Sequence, residues 1–242
     1  MSASAPELAG QTVVVIGGSQ GIGLETARRS RAEGASVIIT ARNVERLQLA
    51  GKELGADTAA FDATDTDRLE EFFADLPTPI DHILVTGPGP YYAPLEAFDF
   101  DEARKDIESH LFLPLHIARL AIGRVRAGGS LTFMGGTGGR RTGRGFTLIG
   151  ALTAAGPAMV RNLAVEIAPI RVNLIAAGFV DTPLSATLLG DQLEARRQQL
   201  RTTLPIGRVV GPEDVANLAV HLMTNTAFTG ATIDLDGGQQ LV

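Results

Sequence analysis

The stretch "VVVIGGSQGIGLETA" (Val13–Ala27) joins an apolar, β-branched run to a segment of helical period through a turn that carries Gly17, Gly21 and Gly23. Glycines at that junction permit a tight turn and let backbone N–H groups, backed by a helix N-terminus, approach a pyrophosphate. A glycine triplet alone is a weak signal, because such turns often only connect elements. Here the strand before, the helix after and the position near the start of the chain agree on a dinucleotide-binding loop.

Outward from this turn, apolar runs alternate with longer helical segments. After Thr12–Ile16 and a helix ending near Gly34 come Ser36–Thr40, a helix over Val44–Leu54, the weaker strand "DTAAFD" and a helix near Asp67–Leu76. "DHILVT" (Asp81–Thr86) is a fourth strand, followed by a Gly/Pro-rich loop to Phe100. A long helix is expected over about Asp101–Arg126, kinked at Pro114. Ser130–Met134 is a fifth strand, then come a helix over about Phe146–Ile167 and the strands "IRVNLI" and "ATIDLD". Strands that are apolar throughout are buried on both faces, as in a parallel sheet covered by helices. The prediction is an α/β fold: a doubly wound, parallel, seven-stranded Rossmann-type sheet with helices on both faces, one domain over residues 1–242.

The chain has 242 residues, 45% of them hydrophobic and 20% charged, which is ordinary for a soluble protein. A net charge of −6 argues against nucleic acid or anionic membrane as the main partner. With no cysteine there is neither a disulfide nor a thiolate metal site, and no His/Asp/Glu spacing suggests a metal. "MSASAPELAG" lacks the basic start and apolar core of a signal peptide, so a cytoplasmic location is expected. Phe146–Val160, "FTLIGALTAAGPAMV", has no ionisable side chain, but it is interrupted by Gly150, Gly156 and Pro157 and is shorter than the ~20 apolar residues of a membrane span. A buried helix is expected there.

The end of the second strand reports which dinucleotide is bound. A carboxylate at that point would hold the ribose 2′-OH of NAD and repel a 2′-phosphate. This chain has Ala41 and then Arg42, a cation suited to NADP(H), although a solvated residue at a helix start would read the same way. Asp62 is placed to accept from an adenine amino group, or to cap a helix within "DATD".

Taken with "GGSQGIG", "FDATD", "IRVNLIAAGFVDTP", "PIGRVVGPEDVANLAVHL" and "TGATIDLDGG", these residues make the chain resemble the short-chain dehydrogenase/reductase family along nearly its whole length. The resemblance implies a cofactor site formed by Gly17, Ser19, Gln20, Gly21, Ile22, Gly23, Arg42, Asp62, Ala63, Thr86, Gly87 and Gly178, with Val180 and Thr182 near the nicotinamide carboxamide. It also implies a homodimer or homotetramer and a substrate loop at about 184–204.

Family members move a hydride between a nicotinamide and a carbonyl or alcohol, with a tyrosine as proton donor, tuned by a lysine and supported by a serine and an asparagine. On this pattern the tyrosine falls on Ile149, the lysine on Thr153, the serine on Gly136 (with Thr137 beside it) and the asparagine on His110. No tyrosine or lysine occurs from Leu111 to the C-terminus, so a small misalignment does not restore the set. Tyr91 and Tyr92, the only tyrosines, lie in the loop after the fourth strand, as substitute donors or as pocket wall. His110 titrates near neutrality in the relay position, or is a helix histidine bonded to a backbone carbonyl. Arg140, Arg141 and Arg144 are either a clamp for an anionic small-molecule substrate or a solvated run of charge. Three readings follow: an NADP(H)-dependent oxidoreductase of a small carbonyl or alcohol with a replaced proton donor, a catalytically silent NADP(H) sensor or partner subunit, and a non-redox lyase or isomerase.

Overall fold

A computed structural model of the chain describes residues 7–242. The Val- and Ile-rich runs form β1 (Thr12–Ile16), β2 (Ser36–Ala41), β3 (Asp57–Ala60), β4 (Ile80–Val85), β5 (Val125–Gly136), β6 (Arg171–Ala177) and β7 (Thr232–Leu235). All pair in parallel, in the order β3-β2-β1-β4-β5-β6-β7. The order reverses between β1 and β4, and the crevice beyond the strand ends at such a switch point is where ligands bind in open α/β sheets.

Alternation along the central strands divides the core in two. Val14, Ile16, Ile83 and Phe133 point to one face, covered by α3 (Thr66–Asp75), α5 (Leu113–Ala121) and α6 (Thr147–Glu166). Val13, Val15, Leu84 and Ile175 point to the other, under α1 (Gly21–Ala32), α2 (Val44–Leu54) and α9 (Pro212–Thr224). The edge strands β3 and β7 are only partly covered.

Several boundaries differ from the sequence expectation. The helix expected over Asp101–Arg126 is α4 (Phe100–Ile107), a π-helical stretch over Glu108–Phe112, and α5, which ends at Ala121. Pro114 falls in the first turn of α5, where its missing N–H costs nothing, and the widened π turn before it takes up the break. Strand β5 starts five residues early because Val125 pairs with Ile80 across a register shift. The segment expected to be the substrate loop is helical, as α7 (Pro183–Leu189) and α8 (Leu193–Thr203).

Helix α6 is less buried than expected. Only Ile149, Val160 and Leu163 are fully covered, and Ala151, Ala154, Ala158 and Val165 face outward. By length and composition it is the one helix among the described residues that could cross a membrane, with 17% of its apolar window buried. In this fold it lies against the sheet, with Val160 and Leu163 in the core.

Two buried polar groups knit the end of the sheet opposite the crevice. Arg171, 6% exposed, donates to the carbonyls of Gly128, Leu222, Met223, Asn225 and Phe228, so a guanidinium terminates α9. The His82 ring lies 2.8 Å from both Ser130 Oγ and Gln11 Oε1.

Candidate functional site

The glycine turn after β1 is held by its neighbours. The N–H groups of Gly17 and Gly18 donate to Thr40 O at 3.0 and 2.9 Å, and the Thr86 hydroxyl reaches Ile16 O and Gly17 O. Gly17 has φ +91°, and a Cβ there would stand 2.2 Å from Thr86 Oγ1. A Cβ on Gly23 would stand 2.2 Å from Gly17 O, so the packing of helix on turn requires glycine. Gln20, at the N-cap of α1, makes no side-chain cap, which leaves the first-turn N–H groups for an anion. Gly21 lies against Thr182 of the loop after β6, so two segments 161 residues apart meet at this turn. Ser19 is buried there, and Ile22 and Leu24 pack on the core below. The cradle fits a dinucleotide pyrophosphate.

At the end of β2, Arg42 is exposed and lies 3.7 Å from the Asp62 carboxylate. Asp62 accepts from the N–H and hydroxyl of Thr64, closing an Asx turn. It does not cap the helix, because Asp65 does that, accepting from Arg68 N. Ala63 packs against the core. A second cation escaped the sequence reading: Arg46, in the first turn of α2, donates to Gln20 Oε1 at 2.8 Å and so reaches over the phosphate turn. Its signal was its spacing, three residues after the Asn43 cap.

On the other side of the crevice, Gly178 N donates to Leu235 O, and Gln239 Oε1 accepts from Phe179 N at 2.8 Å. Val180 bridges Val210, and the Thr182 hydroxyl caps α7 by accepting from Ser185 N.

His110, Ile149 and Thr153 come together. With Met134, Gly135 and Leu152 they line a cavity of about 30 Å³, room for a single water. Ile149 is 5% exposed and apolar. The Thr153 hydroxyl donates back to Ile149 O at 2.7 Å, and its methyl would stand 3.3 Å from a Cβ on Gly136. Thr137 is buried, its N–H donating to Ala177 O. The His110 Nδ1 lies 3.1 Å from Asp106 O, the backbone contact foreseen, and also 3.0 Å from Asp106 Oδ1. Burial works against the His110 cation, but the Asp106 carboxylate, its carbonyl and the Pro88 carbonyl outweigh it, and the net shift is upward.

The tyrosines differ. Tyr91 is anchored in its loop: its hydroxyl accepts from Asp99 N at 2.7 Å, and its ring packs edge-on against Phe98. Tyr92 stacks on Phe146, and burial, then Asp106, pushes its hydroxyl up, which makes it a poorer acid. The arginine run also divides. Arg140 is held by both oxygens of Asp234 and Arg144 pairs with Glu96, so neither is spare for a ligand. Arg141 has no carboxylate within ion-pair distance among the described residues. It acts on Arg196 of α8 and on the Tyr92 hydroxyl.

A family model described as Enoyl-(Acyl carrier protein) reductase matches residues 16–240. The chain belongs to the short-chain dehydrogenase/reductase family. Among its relatives are a short-chain dehydrogenase/reductase of Stachybotrys chlorohalonatus, ATR9 (28% identical; 96% of this chain, 98% of the relative), and one of Gibberella fujikuroi, fsr5 (30%; 97% and 96%). Among solved structures it is similar to the MalC Reductase/Diels-Alderase from Malbranchea aurantiaca (TM-score 0.91, 25% identical, 99% of this chain and all of that one). A structure titled BdcA in complex with NADPH gives a TM-score of 0.86 at 26% identity, over 96% and 95% of the two chains.

Proposed function

We propose that this short-chain dehydrogenase/reductase uses NADP(H) on a small carbonyl or alcohol, and that His110 takes the place of the family tyrosine as proton donor. The observation that carries the reading is the grouping of His110 with Ile149 and Thr153 in one cavity: the only titratable side chain there is the imidazole. NADP(H), when bound, supplies or accepts the hydride. Gly17, Gly23 and the bare start of α1 would receive the pyrophosphate, with Arg42 and Arg46 reaching the 2′-phosphate. NADPH in the BdcA relative and in a second small-chain dehydrogenase structure supports that choice. Gly87, Gly178, Val180 and Thr182 border the nicotinamide end. His110 would give its Nε2 proton to the oxygen of the reduced carbonyl, a contribution of about 10²–10⁴ in rate for a well-placed acid. Arg141 and Arg196 would hold an anionic group of the substrate, with α7 and α8 as the substrate loop. The apolar outer side of α6 would meet a second copy of the chain in a homo-oligomer.

The test is calorimetric titration with NADPH and NADH, then a screen for NADPH oxidation with carbonyl substrates. His110→Ala should lower kcat at least about 100-fold, and Tyr92→Phe by less than about threefold. Tight NADPH binding without turnover by any substrate would instead favour a silent sensor. A second reading has a specific support: the MalC relative is named for a cycloaddition as well as a reduction. On that reading the pocket converts a substrate with no change in nicotinamide absorbance.

A further inference from the structure

Asp106 is buried at the end of α4, one helical turn before His110, with 5% of its surface exposed. Its Oδ1 accepts from Tyr91 N at 3.3 Å and lies 3.0 Å from His110 Nδ1. Its Oδ2 is buried without a hydrogen-bond partner. A carboxylate in that state is costly unless a cation stands beside it. Among the described residues no arginine or lysine lies within ion-pair distance, and the only contact of that kind is the imidazole. The two residues are linked across the junction of α4 and the π-helical stretch, a local irregularity of the sort found where helices carry function.

We propose that Asp106 is the positioning residue of an aspartate–histidine acid–base pair: it holds the Nδ1–H of His110, orients the ring, and leaves Nε2 facing the loop that follows β4. A Cβ on Gly87 in that loop would stand 3.6 Å from Nε2. The inference rests on the reading of His110 as the proton donor. In the reducing direction the Nε2–H bond breaks, its electron pair stays on Nε2, and the proton forms the O–H bond of the alcohol. The electrons that reduce the carbonyl carbon arrive with the hydride of the NADPH proposed above. The ring is left neutral with its Nδ1–H still on Asp106, and solvent returns the lost proton. Asp106 does not touch the reacting atoms.

The ionisable groups around the imidazole are few. On its own helix Asp106 faces it, and from the loop after β4 Tyr92 lies within electrostatic reach of Asp106. Strand β5 contributes Phe133, Met134 and Gly135, and α6 contributes Ile149, Leu152 and Thr153, none of which titrates between pH 4 and 9.

The test is the titration of His110 by histidine NMR in the full chain, together with the pH profile of kcat/KM. In the unmodified protein His110 should titrate above the free imidazole value of about 6.5. Asp106→Asn should lower that midpoint by about one pH unit or more, move the alkaline limb of the profile down with it, and depress kcat more than it raises KM. Asp106→Glu should restore part of each. A His110 midpoint below about 6.5 in the unmodified chain would overturn the pair even if Asp106→Asn failed to fold. An unchanged midpoint in folded Asp106→Asn would do the same. If the midpoint moved as stated while His110→Ala left turnover intact, the pair would stand and the reading of His110 as donor would fall.

Discussion

Arg42 Nη1 stands 3.7 Å from Asp62 Oδ2, with β2 ending at the one and β3 leading to the other. The pair is long and exposed, so it stabilises the fold little, and a phosphate brought between the strand ends would compete for the guanidinium with better geometry. Arg42→Ala should weaken NADPH binding about tenfold and leave NADH binding within about twofold, by calorimetry. Arg46→Ala should do the same to a smaller degree, because Arg46 is shared with Gln20. Equal losses for the two nucleotides would show that neither cation reads the 2′-phosphate.

Arg171 tests what holds α9 on the sheet. Its guanidinium serves five carbonyls, two of them in the last turn of α9, and among the described residues no carboxylate shares it. Arg171→Met would keep the stem but leave those carbonyls buried without donors. A loss of about 3 kcal/mol is expected from the urea midpoint at unchanged slope. Arg171→Lys should recover only part of it, since one ammonium cannot span the same carbonyls.

The sheet was legible because parallel strands buried on both faces leave continuous apolar runs such as Val13–Ile16 and Ile83–Val85. The glycine turn was legible because Gly17 and Gly23 are demanded by contacts close in sequence and by Thr86 at the next strand end. What the sequence hid depends on long-range pairing. Arg140 and Arg144 look like a free basic run, yet their partners Asp234 and Glu96 lie 94 and 48 residues away. Strand β5 begins in "VRAGG", which carries no strand period, because Val125 answers to Ile80 rather than to its own neighbours. Asp106 was visible as a carboxylate four residues before His110, but an i,i+4 pair is common on exposed helix faces, and only its burial makes it distinctive.

Two histidines, His82 in the core and the part-buried His110, push stability in opposite directions with pH. Burial, aided by Arg126 and Arg171 and opposed by Asp81, holds His82 at about 3, below its unfolded value. The unfolded chain therefore takes up a proton that the fold refuses. The His82 contribution is complete above pH 6.5 and is lost as pH falls from there toward 3, at up to about 1.4 kcal/mol per pH unit. His110 is raised, so its contribution is complete below its unfolded value and is lost as pH rises through its folded one. Asp214, held below the ordinary carboxylate range by Arg208, adds acid sensitivity only at lower pH still. Urea unfolding from pH 8 to pH 4 should show an acid limb that His82→Gln flattens between pH 6.5 and 4. A limb unaltered by that substitution would assign the acid sensitivity elsewhere.

The last prediction concerns Arg141 and Arg196, on the loop after β5 and on α8. Arg197 is held by Asp181 and Glu194, and Arg201 by Glu194, whereas these two have no carboxylate within ion-pair distance among the described residues. Burial first, and then the charge of Arg141, pulls Arg196 below the usual guanidinium value, so the two cations oppose each other in this structure. An anion between them would relieve that repulsion and gain charge-assisted hydrogen bonds from both. The Tyr92 ring, stacked on Phe146, would form a wall beside it. Arg141→Ala and Arg196→Ala should each raise KM for a carboxylate- or phosphate-bearing substrate about tenfold, with kcat changed less than about threefold, as expected for loss of uniform binding. Neither should alter KM for the neutral analogue of the same substrate. Because the relief is mutual, removing both should cost less than the sum of the single effects. Equal effects on charged and neutral substrates would mean that the pair shapes the substrate loop and does not read charge.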